Sequence, residues 1–184
     1  MMKKFLTVFL LLVIILCSAY RKPHKYTIEA EKDAFYHNNV GLNYLQDRIY
    51  YAAIQEFKIA ISLSPSTQAT AIFYNNLGET YTFIGYPDMA RDCFENAVKF
   101  YGLNFKYYQN LIQCYQSLGI SAVKIREYQS SNDIYDKIKL GLLYIQNGEK
   151  RRGVNVLDEV CGAEPDLMIT GAIRQYLKEI CKEL

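Results

Sequence analysis

The feature that most restricts the fold is a skeleton of small and aromatic residues that returns along the chain. Around Gly78 it reads Tyr74-x2-Leu77-Gly78-x2-Tyr81, followed by Ala90-x3-Phe94-x2-Ala97. The same skeleton occurs earlier as His37-x2-Val40-Gly41-x2-Tyr44 and Ala53-x3-Phe57-x2-Ala60, ending at Pro65. It returns later as Leu140-Gly141-x2-Tyr144 and Gly153-x3-Leu157-x2-Val160, ending at Pro165. A degenerate copy lies between, Tyr108-x2-Leu111-Ile112-x2-Tyr115, with Lys124 and Tyr128 where alanine and phenylalanine stand elsewhere. Self-similarity of this kind marks a repeat architecture, in which each unit buries its apolar face against its neighbours.

The skeleton resembles the tetratricopeptide repeat, a helix–turn–helix unit of about 34 residues carrying W-x2-L-G-x2-Y, then A-x3-F and a terminal proline. The resemblance runs from Asp33 to Asp166. It implies an all-α fold, a right-handed solenoid of four repeats over about residues 34–67, 71–104, 105–133 and 134–167. The segment 167–184, with apolar Leu167, Ile173, Leu177 and Ile180 among lysines and glutamates, reads as the capping helix that covers the open end.

A glycine inside a helix is unfavourable by about 1 kcal/mol relative to alanine. Here the first helix of each unit must cross the second closely, so a small residue is needed on both sides of the contact. Gly41 is expected to face Ala53, Gly78 to face Ala90, and Gly141 to face Gly153, with Tyr44, Tyr81, Tyr144, Phe57, Phe94 and Leu157 filling the surrounding space. These residues, with Ala60 and Ala97, are structural.

Spacing locates the irregularities. Gly41 and Gly78 are 37 residues apart, and the excess fits the Ser64–Gln68 connection. Gly78 and Ile112 are 34 apart, but Ile112 and Gly141 only 29. The loss falls in the second helix of the third unit, Ser121–Ser130, which also lacks the small residue. The superhelical twist between the third and fourth units should be disturbed there. Pro87 with Asp88 marks a helix start. Asn104, Ser121 and Asn132 are expected N-caps, and Gly119 and Gly148 suit the turns between paired helices.

The N-terminus has another character. Lys3 and Lys4 precede an apolar run, Phe5–Leu16, and a small-residue exit at Cys17-Ser18-Ala19. This is the pattern of a secretory signal peptide over residues 1–19, cleaved after Ala19. Two alternatives are a retained membrane anchor, although the run is shorter than the roughly 20 residues of a full span, and lipidation at Cys17, where Leu16 departs from the usual small residue. Each places the folded part outside the cytoplasm or at its membrane, after a linker or helix start over 20–32. Membrane association would then run through this N-terminal segment.

The chain carries 21 Lys+Arg and 19 Asp+Glu, so without Lys3 and Lys4 the charges balance. No basic stripe survives, which disfavours nucleic acid as a partner. Neither G-x-S-x-G, G-x-x-x-x-G-K-[ST], H-E-x-x-H nor G-x-G-x-x-G occurs, and no C-x-x-C suggests zinc or redox work. Histidine is limited to His24 and His37, the latter at a packing place of the first repeat. A non-enzymatic protein with no cofactor and no metal is the expectation. Cys93 with Cys114, and Cys161 with Cys181, lie on elements that should touch; buried free thiols are preferred over disulfides.

The family resemblance implies that a peptide or partner helix binds the concave groove lined by first helices. The groove positions are then Asn38 and Leu42 in the first repeat, and Asn75, Asn76, Glu79 and Phe83 in the second. Lys106, Gln109 and Gln113 follow in the third, and Tyr135, Ile138, Leu142 and Ile145 in the fourth. One tetratricopeptide group clamps a peptide's terminal carboxylate. Asn76 and Lys106 match two of its places, whereas Asn38, Leu42 and Asn110 depart from it. The set is amide-rich in the middle and apolar at its end. Ile138, Leu142 and Ile145 are therefore expected to be exposed, for a partner or for self-association.

Overall fold

The computed structural model describes residues 33–64 and 68–183. The expected targeting segment 1–19, the linker 20–32 and the prolyl part of the first connection lie outside the described residues. The helices described below all belong to the unit Lys32–Leu184.

Nine α-helices and no strand occur among the described residues. They are α1 (Ala34–Gln46), α2 (Tyr50–Leu63), α3 (Gln68–Phe83), α4 (Pro87–Phe100), α5 (Phe105–Ser117), α6 (Ser121–Gln129), α7 (Ile134–Gln146), α8 (Lys150–Ala163) and α9 (Met168–Ile180). A 3-10 turn, Cys181–Glu183, comes after α9. Helices α1 and α2, α3 and α4, and α7 and α8 pack as antiparallel pairs along their length, and successive pairs stack. The fold is an all-α helical-repeat solenoid.

Local signals explain the boundaries. Asp33 accepts a hydrogen bond from the Tyr36 amide at 2.8 Å and caps α1. Pro87 opens α4 with Asp88 in its first turn, and Asn104 caps α5 by accepting from the Lys106 amide at 3.1 Å. Two expected caps are displaced. Ser121 is already the first residue of α6, after Ile120. Asp133, not Asn132, caps α7, because its carboxylate accepts from the amides of both Tyr135 and Asp136. The intra-pair turns carry left-handed backbone at Arg48, Gly85, Gly119 and Gly148.

The close crossing takes a specific form. A Cβ built on Gly41 would lie 2.7 Å from Phe57 Cε1, and one on Gly78 2.7 Å from Phe94 Cε1. The nearest barrier at both is thus the aromatic ring of the skeleton and not the alanine four residues before it. Gly141 and Gly153 do face one another: a Cβ on Gly153 would come within 2.5 Å of the Gly141 carbonyl oxygen.

One continuous apolar core runs from Ala53 to Leu177. The expectation of an exposed apolar end fails here. Ile138, Leu142 and Ile145 are 0%, 4% and 8% exposed and belong to the same core cluster as Ile169, Ile173 and Leu177 of α9. An apolar helix face of that size needs a cover in water, and the amphipathic α9 belongs to the cluster that provides it. Tyr135 is half-buried and packs against this cluster.

The third pair is the irregular one. Helix α6 has nine residues, against 14 in α2, α4 and α8. It packs mainly on α7 and scarcely on its own partner α5, and α5 instead lies directly against α7.

Candidate functional site

Residues of the first helices build a ladder of amides across the first three units. The Asn76 side-chain amide donates to Asn38 Oδ1 at 2.8 Å. Asn110 donates to Asn75 Oδ1 at 2.8 Å and to Glu79 Oε1 at 3.0 Å, and Asn75 also donates to Glu79 at 3.2 Å. Asn38, Asn75 and Asn110 are buried, and Asn76 and Glu79 half-buried. Since each bond joins side chains on α1, α3 or α5, the ladder ties the units together before any ligand arrives. It also sets the orientation of each amide, because an oxygen that accepts fixes its nitrogen partner on the other side.

Beside this ladder opens a cleft of about 240 Å³ lined by Glu79, Thr82, Phe83, Phe94, Lys106, Asn110 and Gln113. Phe83 is 66% exposed and stacks on Tyr50 with ring centroids 6.3 Å apart. Lys106 and Gln113 are exposed. A larger cleft of about 520 Å³ continues past Lys106 and Gln109 to Ala172, Gln175, Tyr176 and Glu179 of α9. There Tyr176 tilts onto Phe105 at 5.4 Å between centroids. Helix α9 thus forms one wall of the groove where the fourth unit would otherwise continue it.

Of the groove residues expected from sequence, Glu79, Phe83, Lys106 and Gln113 line one cleft, and Lys106 and Gln109 the other. Asn38, Asn75 and Asn76 stand behind them in the ladder, and Leu42 is exposed on α1. Ile138, Leu142 and Ile145 are core residues. Sequence reasoning did not place Asn110 among the groove residues, because a single asparagine gives no sign of the cross-unit bonds it makes.

Among the described residues no group of three or more metal-ligating side chains converges. His37 is packed, with Nδ1 2.6 Å from Glu56 Oε2 and both side chains buried. All four cysteines of the folded unit are free, with Cys93, Cys114 and Cys161 buried and Cys181 exposed. Burial in apolar surroundings pushes the Cys93 thiol up to about 12 and Cys114 to about 11, away from nucleophilic use.

Residues 71–101 match the tetratricopeptide repeat. That stretch is the second unit, the one with the most regular skeleton. No curated protein matches the chain in sequence. Among solved structures, MamA is similar at 20% identity and a TM-score of 0.50, over 74% of this chain and 81% of that one. A tetratricopeptide repeat protein from Parabacteroides merdae is similar at 15% identity and a TM-score of 0.50. That likeness covers 82% of this chain but only 60% of the other, so this chain spans less than two thirds of that relative. At these identities the likeness concerns the fold. Repeats of this type generally serve as protein–protein interaction modules and not as catalysts.

Proposed function

We propose that this protein is a non-enzymatic interaction module that holds an extended segment of a protein partner along the concave face of its first three units. The observation that carries this reading is the amide ladder beside the Phe83–Lys106 cleft. The ladder fixes α1, α3 and α5 against one another behind the cleft, so that the cleft lining meets an extended segment without reorganising. Phe83 on its Tyr50 shelf supplies an apolar anchor, and Lys106 and Gln113 give direction. With α9 as the far wall, the fourth unit serves stability, and the proposed groove ends against α9.

Delivery to the cell envelope is part of this proposal. It rests on the positive, apolar and small-residue sections of residues 1–19 and not on the folded unit. Fractionation of cells expressing the full chain tests it; recovery wholly in the cytoplasm would remove this part.

The groove is tested by placing a photo-crosslinking residue at Phe83, Lys106 or Gln113 of the full-length chain in its own cells, with Gln55 on α2 as the control position. The reading expects one partner crosslinked from the three groove positions and absent from Gln55. Identical products from all four positions, or none from the groove positions, would overturn it.

A further inference from the structure

The irregular third unit holds a second arrangement that the groove does not use. At the places where the second unit carries Ala90, Phe94 and Ala97, the third carries Lys124, Tyr128 and Ser131. All three skeleton positions have become polar. Lys124 and Tyr128, with the shortened α6, border a cavity of about 380 Å³ among α4, α5, α6 and α7. Its charged lining is Glu95 and Lys99 of α4, Lys124 and Glu127 of α6, and Asp136 and Lys139 of α7. Alanine and phenylalanine would pack this place without burying charge. Partly buried ion pairs add little stability of their own, and departures from a local packing rule concentrate where a protein has another task.

Most of these groups already have partners. Lys124 Nζ lies 3.0 Å from Glu127 and faces the rings of Tyr115 and Tyr128 at 5.3 and 5.8 Å. Lys139 lies 2.5 Å from Asp136 and 4.5 Å from the centroid of the Tyr128 ring. The Tyr115 hydroxyl donates to Glu95 Oε1 at 2.9 Å, and the two tyrosine hydroxyls are 3.2 Å apart. Two capacities are left over: the ammonium of Lys99, which makes no ion pair among the described residues, and the second carboxylate oxygen of Glu95. These residues stand four apart on one helix, the spacing at which glutamate and lysine ordinarily pair. Here the Glu95 carboxylate accepts from Tyr115 and lies within the field of Arg91 and Lys124, while Lys99 also lines the cavity without pairing to Glu95. A second recess, of about 320 Å³, adjoins at Val98 and Lys99 and is walled by Gly102, Tyr108 and Tyr135. A side chain at Gly102 would intrude there, its Cβ 3.1 Å from Tyr108 Oη and 3.4 Å from Tyr135 Cε1.

We propose that this cavity binds a small zwitterion of amino-acid size, with its carboxylate on Lys99, its ammonium on Glu95, and an apolar or aromatic side chain in the recess beside Tyr108 and Tyr135. The formal charges of the lining cancel, which favours a ligand carrying both signs over a bare anion or cation. The aromatic walls of the adjoining recess favour an apolar side chain over a bare glycine. This site is separate from the groove, and its occupancy does not depend on the groove having a peptide partner.

The test is calorimetric titration of the full-length chain with L-phenylalanine, L-leucine, glycine, inorganic phosphate and N-acetyl-L-phenylalanine amide. Saturable binding of phenylalanine or leucine is expected, weaker binding of glycine, and none of phosphate or of the amide whose two charges are blocked. Lys99→Met and Glu95→Gln should each weaken binding about tenfold or more, as expected for one charge-assisted hydrogen bond. Lys178→Met on α9 should leave it unchanged. Lys99 is exposed, and the side-chain amide oxygen introduced by Glu95→Gln can still accept from Tyr115. Both variants should therefore keep the wild-type circular dichroism and Tm. Absence of binding by both amino acids overturns the proposal. So does equal binding of phosphate, which would make it an anion site, or of the blocked amide, which would make it an apolar one.

Discussion

The second and third units occupy equivalent places in one solenoid and solve the same packing problem in opposite ways. In the second, Gly78 lets Phe94 lie against α3, and the two helices touch along their length. In the third, Ile112 stands at the glycine place, 1% exposed, and its own second helix has moved away onto α7. A side chain at the crossing is tolerated only when the crossing is given up. The space released is lined by lysine, tyrosine and carboxylate in place of alanine and phenylalanine. Regularity favours stacking, and its local loss leaves room for a polar cavity.

The contrast is broken most strongly by exchanging the two crossing residues. Gly78→Ile should unfold the second unit, because even its Cβ would overlap the buried Phe94 ring; an overpacked core position is destabilised by about 1–3 kcal/mol or more. Ile112→Gly should be destabilising by about 3–5 kcal/mol, from lost burial, the cavity and the helix penalty of glycine. Urea unfolding of both variants measures this, and a neutral Gly78→Ile would show that the crossing is looser than described.

A smaller effect is expected where the third unit is returned toward the regular pattern. Lys124→Ala combined with Tyr128→Phe should change stability by less than about 1 kcal/mol, since Glu127 is exposed and stays solvated when its partner is removed. A loss of several kcal/mol in the same unfolding experiment would mean that the polar cavity itself holds α6 in place.

The acid side of the stability curve sharpens the comparison further. Asp136 is held below the ordinary carboxylate value, against the upward push of burial, by hydrogen bonds from Lys139 and Ser131 and by the charges of Lys139 and Lys124. A depressed carboxyl contributes stability that is fully present above its unfolded value, near pH 3.8, and is lost as pH falls through the lower folded value. Asp136→Asn should therefore remove part of the acid sensitivity below that pH, followed as Tm against pH. An unchanged curve would place the acid sensitivity elsewhere.

The smallest difference lies in the turns. Arg48 occupies at φ 60° the left-handed place that Gly85, Gly119 and Gly148 hold in the other pairs. Arg48→Gly should stabilise by a few tenths of a kcal/mol up to about 1, and Gly85→Ala should destabilise by about 1, both read from thermal unfolding.

Much of the fold was legible because repeats report on themselves. The glycine, alanine and aromatic places recur, so the pairing of helices and the short α6 could be read by counting. Pro87 and Asn104 announced their helix ends through local bonds that need only neighbours in sequence. The cap at Asp133 was less legible, since Asn132 has the same chemistry one residue earlier and only backbone geometry decides between them. In the groove, the positions of Glu79, Phe83, Lys106 and Gln113 came from the family resemblance, and these residues line one cleft. The same resemblance put Ile138, Leu142 and Ile145 on an exposed face, because a repeat pattern names a face without naming what covers it.

The sequence by itself determined that this chain is a stack of helical pairs and that its third unit has the short second helix. Those properties follow from contacts between residues a few turns or one unit apart. Tertiary structure alone decided that α9 closes the fourth unit into the core, that the amides pair as two rungs, Asn38–Asn76 and Asn75–Glu79–Asn110, and that Glu95 accepts from Tyr115. Each depends on which of several compatible partners lies within about 3 Å, the reach of a hydrogen bond, and that is set only when the superhelix has closed.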